Sequence, residues 1–218
     1  AKDDAGHSHL LVDNNPKVPS RIAVLVEGHG ESPAPVLVQM AQNLERAGAD
    51  LLAIPCNTAH AYLDHIRGAV AIPVLDMIQM TAHRLTELPS EPKTVGVIAS
   101  SAVLKTELYG QALEACGLDV VLPVAADQDA VMVLIKKVKS GQVSTADHQR
   151  FSDIANGLVE SGAQGIAVAC TDLSVMGQDH LIIDVPLVDA LDVLTEAIVA
   201  CVGQLAQSPA GESVQVIQ

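Results

Sequence analysis

The sequence predicts an α/β protein built from two pseudo-symmetric, duplicated lobes. Each lobe is a parallel-type sheet flanked by helices, with the functional site between them. Two observations lead there. Short apolar runs rich in β-branched residues alternate with longer helical patterns, the order that builds a parallel sheet covered by helices. The succession helix, Gly-Ala, apolar run, Cys, helix, x-Pro-strand-Asp also occurs twice. LERAGADLLAIPCNT at 44–58 matches LVESGAQGIAVACTD at 158–172, pairing Gly48 with Gly162 and Cys56 with Cys170 at an offset of 114. IPVLD at 72–76 then matches VPLVD at 185–189 at an offset of 113. This spacing assigns 1–92 to a first lobe and 93–191 to a second, with the helix in 192–218 packing back on the first.

Taken in order, strands are expected at 9–13, 22–26, 51–55, 70–75, 94–99, 120–123, 165–169 and 181–188. Most are bounded by Gly, Pro or Asp and lack polar alternation, as strands buried on both faces do. Helices are expected at 35–47, 59–67, 78–88, 101–116, 128–139, 145–161 and 191–207. The tail 208–218 reads as loose, with 213–217 able to add an edge strand.

Composition narrows the function. Of 218 residues, 49% are hydrophobic, enough to bury a substantial core. Only Tyr62, Tyr109 and Phe151 are aromatic, so the core is Val, Leu, Ile and Ala, and stacking platforms for single-stranded nucleic acid are excluded. A net charge of −14 argues against nucleic-acid phosphates and anionic lipid, while leaving room for a local basic pocket. No apolar run reaches the roughly 18 residues of a membrane span. The stretch 1–16 is polar and acidic, unlike a secretory leader, and the four cysteines lack CxxC spacing, so a reduced, cytoplasmic protein is expected. No metal is expected: His60 and His65, and His7 and His9, have no supporting carboxylate motif. Gly28-His29-Gly30 is too short for a phosphate-binding loop.

The chemistry points to two thiols. Cys56 and Cys170 each sit between a buried strand and a helix, where open α/β sheets bind ligands. Free amides at a helix start there favour thiolate over thiol. Cys116 and Cys201 lie inside helical patterns and read as buried apolar residues. Two equivalent thiols from equivalent lobes suggest a site that treats both faces of one carbon alike, one thiolate removing a proton while the opposite thiol donates one. A dithiol redox centre is an alternative, although it normally draws its cysteines from neighbouring positions. A Cys–His nucleophile is another, since His60 follows Cys56 by one turn, whereas the next histidine after Cys170 is His180.

PCNTAH at 55–60 and ACTD at 169–172 resemble the two cysteine motifs of the aspartate/glutamate racemase superfamily, whose members need no pyridoxal phosphate. The similarity runs over nearly the whole chain and is nearest the aspartate racemase type. LVDNNPKVPSR at 11–21 looks like that type's Asn-x-Pro-x-Ile-Pro-x-Arg segment, and 131–141 like the helix whose lysine, shortly before a Gly, reaches the substrate. The resemblance implies a homodimer acting on a small amino acid without a cofactor, with Cys56 and Cys170 as the acid/base pair. It implies that Asn57, Thr58 and Thr171 hold the amino acid. Arg21 would grip one carboxylate through a bidentate fork, and Lys139 the other, with Lys136 and Lys137 competing for that role.

The chain departs from the pattern in three places. Asp172 stands where aspartate racemases carry Glu, and a shorter arm redirects its contacts toward the substrate amino group or the Cys170 loop. Glutamate racemases usually carry His there. Ser100-Ser101-Ala102-Val103 replaces Thr-x-Gly-Thr, keeping a hydroxyl at Ser100 without the Gly-Thr turn. The family also opens with a strand and a Gly-rich turn that nothing ahead of Ala1 supplies, so the opening strand is expected to be missing from this sequence. The expected activity is racemisation of aspartate or a related acidic amino acid. The alternatives are a racemase of broader specificity, a superfamily decarboxylase or cis-trans isomerase, and a non-catalytic amino-acid-binding module.

Overall fold

The computed structural model describes residues 9–176 and 183–205. The first half of the chain contributes α1 (Arg21–Leu25), α2 (Ala34–Arg46), a 3-10 turn (Asn57–Tyr62) running into α3 (Leu63–Arg67), and α4 (Met77–Thr86). Pro35 inside the first turn of α2 suits a helix start, where its missing N–H costs nothing. Asp76 starts α4 by accepting the backbone N–H groups of Ile78 and Gln79, both at 3.1 Å. Leu52 and Val74 form an isolated parallel bridge, and around it Ala41, Leu63 and Ile66 make a small core.

The second half contributes β1 (Thr94–Ala99), α5 (Ser101–Lys105), α6 (Leu108–Ala115), β2 (Asp119–Val121), α7 (Ala125–Lys139), α8 (Thr145–Glu160), β3 (Gly165–Ala169), a 3-10 turn (Leu173–Met176), β4 (Leu187–Asp189) and α9 (Ala190–Leu205). The strands form one parallel sheet in the order β2-β1-β3-β4. Val95, Val97 and Ala99 alternate with Gly96 and Ile98, and both sets are buried because helices cover both faces. One face packs Val97, Ala167 and Val188 against Ala82 and Leu85 of α4, Leu113 of α6 and Val193 of α9. The other packs Ile98, Ile166 and Val168 against Val131 and Leu134 of α7 and Phe151, Ile154 and Leu158 of α8. Fully burying such a side chain contributes about 1.5–3 kcal/mol, so a mainly aliphatic core with Phe151 and Tyr109 suffices.

Helix α9 returns to the first half, where Ala190, Leu194 and Cys201 pack against Leu75 and Met77. Ala99 is paired with Ala169, so β1 and β3 end level and release Ser100 and Cys170 at the same edge of the sheet. Among the described residues no helix is long and apolar enough to cross a membrane.

Several expected elements differ. The strand at 22–26 is helix α1: Ser20 caps it, its Oγ accepting from Ala23 N–H at 3.2 Å, and among the described residues no strand pairs with Ile22–Val26. β-propensity reflects packing on a sheet surface, and without a sheet the cap wins. Residues 9–13 form no strand and are largely exposed, Val12 at 81%. The strands at 51–55 and 70–75 shrink to the single Leu52–Val74 bridge, so the sheet belongs to the second half. The helix at 101–116 is two helices, broken where Glu107 adopts φ 55°. The helix at 59–67 opens as a 3-10 turn. The beginning of the 181–188 strand, the end of the last helix and the 213–217 strand lie outside the described residues, as does His7.

Candidate active site

A cavity of about 460 Å³ opens where β1 and β3 end, between them and the first half of the chain. All nine residues singled out from the sequence line it. Cys56, Asn57 and Thr58 come from the loop entering the first 3-10 turn, and Arg21 from the start of α1. Ser100 comes from the end of β1, Lys139 from the last turn of α7, and Cys170, Thr171 and Asp172 from the end of β3.

The two cysteines occupy matching turns. The carbonyl of Cys56 accepts Ala59 N–H at 3.1 Å, and that of Cys170 accepts Leu173 N–H at 2.9 Å. The pseudo-symmetry extends four residues further. His60 Nε2 accepts Met77 N–H at 3.1 Å, at the start of α4. At the equivalent position Ser174 donates to Asp189 at 2.8 Å, where α9 starts, and Asp189 also accepts Leu191 N–H at 2.8 Å. Each thiol-bearing loop is thus tied to the helix that follows the x-Pro-strand.

This geometry removes the Cys–His alternative. A backbone N–H donates to His60 Nε2, so the proton of the neutral ring sits on Nδ1 and is given to the Cys56 carbonyl at 3.0 Å. Both ring nitrogens are spent on the backbone and neither meets the Cys56 sulfur. Burial lowers the His60 pKa and keeps the ring neutral.

The Cys170 thiol differs from the expectation of a lowered pKa. Burial is the largest influence and the Asp172 carboxylate the next, and together they push it up to about 12. The N–H groups of Asp172 and Leu173 pull the other way and are outweighed. The reason is that the sulfur is withdrawn from water beside a carboxylate two residues on, which disfavours a second negative charge there. Cys170 therefore rests as a thiol, its Sγ 3.9 Å from Asp172 Oδ2.

Among the cations, Arg21 heads α1 and donates through Nη1 to the Pro19 carbonyl at 3.2 Å. It enters the cavity from a helix and not, as expected, from the approach to a strand. Lys139 Nζ lies 3.3 Å from Asp172 Oδ2. The competing lysines go elsewhere: Lys137 pairs with Asp147 at 2.6 Å, and Lys136 is exposed. Successive helix residues are separated by about 100°, so three lysines in one turn cannot share a face. Ile135, four residues before Lys139, lines the same cavity. Asp172 thus bridges the Cys170 loop and Lys139, one of the two directions its shorter arm allows.

The polar groups join the two halves. Thr58 Oγ1 and Ser100 Oγ are 3.4 Å apart, Thr171 donates to the Pro55 carbonyl at 3.2 Å, and the Tyr109 hydroxyl on α6 donates to Asn57 Oδ1 at 2.6 Å. Ser100 also caps α5, accepting from Val103 N–H at 3.3 Å, which is how the segment keeps a turn without Gly-Thr. Sequence reasoning missed Ser20 and Ile22, which flank Arg21, and Pro55 and Ala169, which precede the cysteines. Its signal for Ser20 was available: a Ser just ahead of an apolar run is a candidate helix cap. Tyr109 gave none, because its partner is 52 positions away.

Comparison with known proteins agrees with this architecture. The family described as Asp/Glu/Hydantoin racemase matches residues 1–198. An aspartate racemase of Picrophilus torridus superposes with a TM-score of 0.81 at 27% identity, over 93% of this chain and 83% of that one. A glutamate racemase of Bacillus anthracis superposes at 0.62 and 18% identity, over 87% of this chain and 67% of that one, a likeness of fold. A broad-specificity amino-acid racemase of Bacillus subtilis is 29% identical over 167 residues, 75% of this chain and 70% of its own length. An α/β fold, two thiols on matching turns in one cavity and a family match over nine-tenths of the sequence place the chain in the Asp/Glu/hydantoin racemase family.

Proposed function

We propose that this racemase interconverts L- and D-aspartate without a cofactor, by two-base proton transfer between Cys56 and Cys170. The observation that carries the reading is that both thiols, supplied by opposite halves of the chain, line one cavity together with Arg21 and Lys139. In this reading the α-carbon sits between the sulfurs. Cys56 removes the α-proton as thiolate while Cys170, held as a thiol, donates to the opposite face, and the reverse reaction exchanges the roles.

The α-proton is a very weak acid and a free thiol has a pKa of about 8.5, so the barrier is high. Each tenfold in rate takes about 1.4 kcal/mol off it. Charge developing on the α-carboxylate is met by Arg21 and by Asn57, Thr58 and Thr171 with the backbone amides of their turns. The substrate ammonium stays protonated, which further acidifies the α-carbon. Arg21 and Lys139 against Asp172 leave one net positive charge in the lining before thiol ionisation, which balances the single net negative charge of aspartate. The reading includes a homodimer. It also includes a reducing, cytoplasmic setting, in keeping with four free thiols.

A second reading, broad amino-acid specificity, is favoured by the Lys139–Asp172 pair, which already occupies the cation intended for a side-chain carboxylate. The B. subtilis relative is itself a broad-specificity amino-acid racemase. Chiral chromatography of single L-amino acids incubated with the protein in D₂O decides between them. Aspartate is expected to racemise fastest, with deuterium at the α-carbon. Faster turnover of neutral amino acids selects the broad reading, and no turnover of any amino acid overturns both.

A further inference from the structure

The Asn57 amide has one half engaged and the other unspent among the described residues. Its Oδ1 accepts the Tyr109 hydroxyl at 2.6 Å, whereas its Nδ2 is buried and meets no acceptor among them. Asn57 is 3% exposed yet lines the cavity. Buried amide protons are rarely left unpaired in folded proteins, and a ligand oxygen is the acceptor that this position lacks. By contrast the hydroxyls of Thr58, Ser100 and Thr171 already meet protein partners.

The phenol decides which half of the amide faces the ligand. Tyr109 is 2% exposed on α6, and burial raises its pKa, so it remains a donor throughout the working pH range. Thr81 is the other polar side chain at the phenol, and its own hydroxyl proton goes to the Met77 carbonyl at 2.6 Å. A phenol turned toward Thr81 would let the amide rotate and offer oxygen, suited to an ammonium. A phenol donating to Oδ1 leaves NH₂, suited to a carboxylate.

We propose that Tyr109 is a positioning residue: its O–H locks the Asn57 amide so that the NH₂ is presented to a carboxylate of the bound amino acid. This rests on the racemase reading of the cavity given above. It also makes α6, whose residues do not otherwise line the cavity, part of the binding arrangement.

Equilibrium calorimetry on the full chain tests it without requiring turnover, with succinate, which has carboxylates and no ammonium, and L-aspartate as probes. Tyr109→Phe is expected to weaken both ligands by about tenfold in an otherwise wild-type background, and neither further in an Asn57→Ala background. In turnover, Tyr109→Phe raises KM for aspartate by a similar factor with a smaller change in kcat. A loss confined to aspartate means that the amide faces the ammonium, and overturns the proposal. So does an equal loss in both backgrounds, which is a packing effect, or failure of the wild type to bind either probe. If Tyr109→Phe does not fold, Asn57→Asp serves, since it puts an oxygen where the NH₂ stood: weaker succinate binding than Asn57→Ala is expected, and wild-type binding overturns the assignment. Absence of racemisation alongside normal binding cycles rejects the racemase reading and leaves the positioning role standing.

Discussion

The asymmetry between the two thiols is the property most open to test at the scale of single residues. With Cys170 pushed up to about 12, its thiolate is scarce at neutral pH, and in the proposed mechanism the base role in the resting protein falls to Cys56. Cys56→Ala and Cys170→Ala should each lower racemisation by about 10²- to 10⁴-fold, the usual worth of a positioned acid or base. They should differ in α-proton exchange with D₂O, followed by mass spectrometry. Cys170→Ala retains exchange through Cys56, whereas Cys56→Ala exchanges poorly at pH 7 and gains about tenfold per pH unit as Cys170 ionises. Equal, pH-independent exchange in the two variants would contradict the assignment. Cys116→Ala and Cys201→Ala should turn over normally, since one thiol packs against the core beside β1 and the other against Leu75 and Met77. For the cations, Arg21→Ala should impair every substrate. Lys139→Met should raise KM for aspartate more than for alanine or serine, because only aspartate has a second carboxylate to lose. A uniform effect of Lys139→Met would favour broad specificity.

At the scale of elements, helix α8 is held at its N-terminus by Asp147. This buried carboxylate accepts from Ser144 N–H at 2.9 Å and Ser144 Oγ at 2.6 Å, and pairs with Lys137 at 2.6 Å. The Lys137 ammonium first, then the Ser144 bonds, hold its pKa down at about 2. The lowered value means that the folded state prefers the carboxylate, so this stability is complete above the ordinary aspartate range near pH 4 and is lost as pH falls toward 2. Asp147→Asn should therefore lower the thermal midpoint at pH 6, with the gap to wild type closing between pH 4 and 2; a pH-independent gap would deny the charge its role. In the sheet, Gly96 leaves room on one face for Ile166 of β3 and Leu158 of α8. A Cβ there would lie 2.7 Å from Ile166 Cδ1 and 3.0 Å from Leu158 Cβ. Gly96→Ala should cost about 1–3 kcal/mol in urea unfolding, as overpacked cores do.

At the scale of the whole molecule, the site exists only when the two halves are joined. The Thr171–Pro55, Thr58–Ser100 and Tyr109–Asn57 contacts cross the boundary, as does α9 on Leu75 and Met77. A ligand gripped from both sides should stabilise the whole fold: saturating L-aspartate should raise the unfolding midpoint, by about 2.7 kcal/mol of stability at a hundred times Kd. Arg21→Ala should abolish that shift, and a shift that survives would remove Arg21 from binding. Light scattering at micromolar concentration is expected to give twice the 22.7 kDa chain mass, and a monomer would contradict the proposed homodimer.

By itself the sequence determined the alternation of strand and helix in the second half, the duplication, and the cysteine loops that meet in the cavity. These are local properties, because periodicity reports which faces are apolar and fixed spacing places a residue at a strand end. The tertiary structure alone decided what depends on neighbours across the fold. Residues 22–26 have strand composition but no strand beside them among the described residues, so the Ser20 cap prevails and Arg21 enters the cavity from a helix. Three lysines share one turn of α7, and only packing chooses Lys139 to face Asp172. The Cys170 thiol was expected to ionise readily from its place at a turn, yet burial and a carboxylate two residues on raise its pKa. Burial and partnership are sums over atoms brought together by folding, and no local pattern contains them.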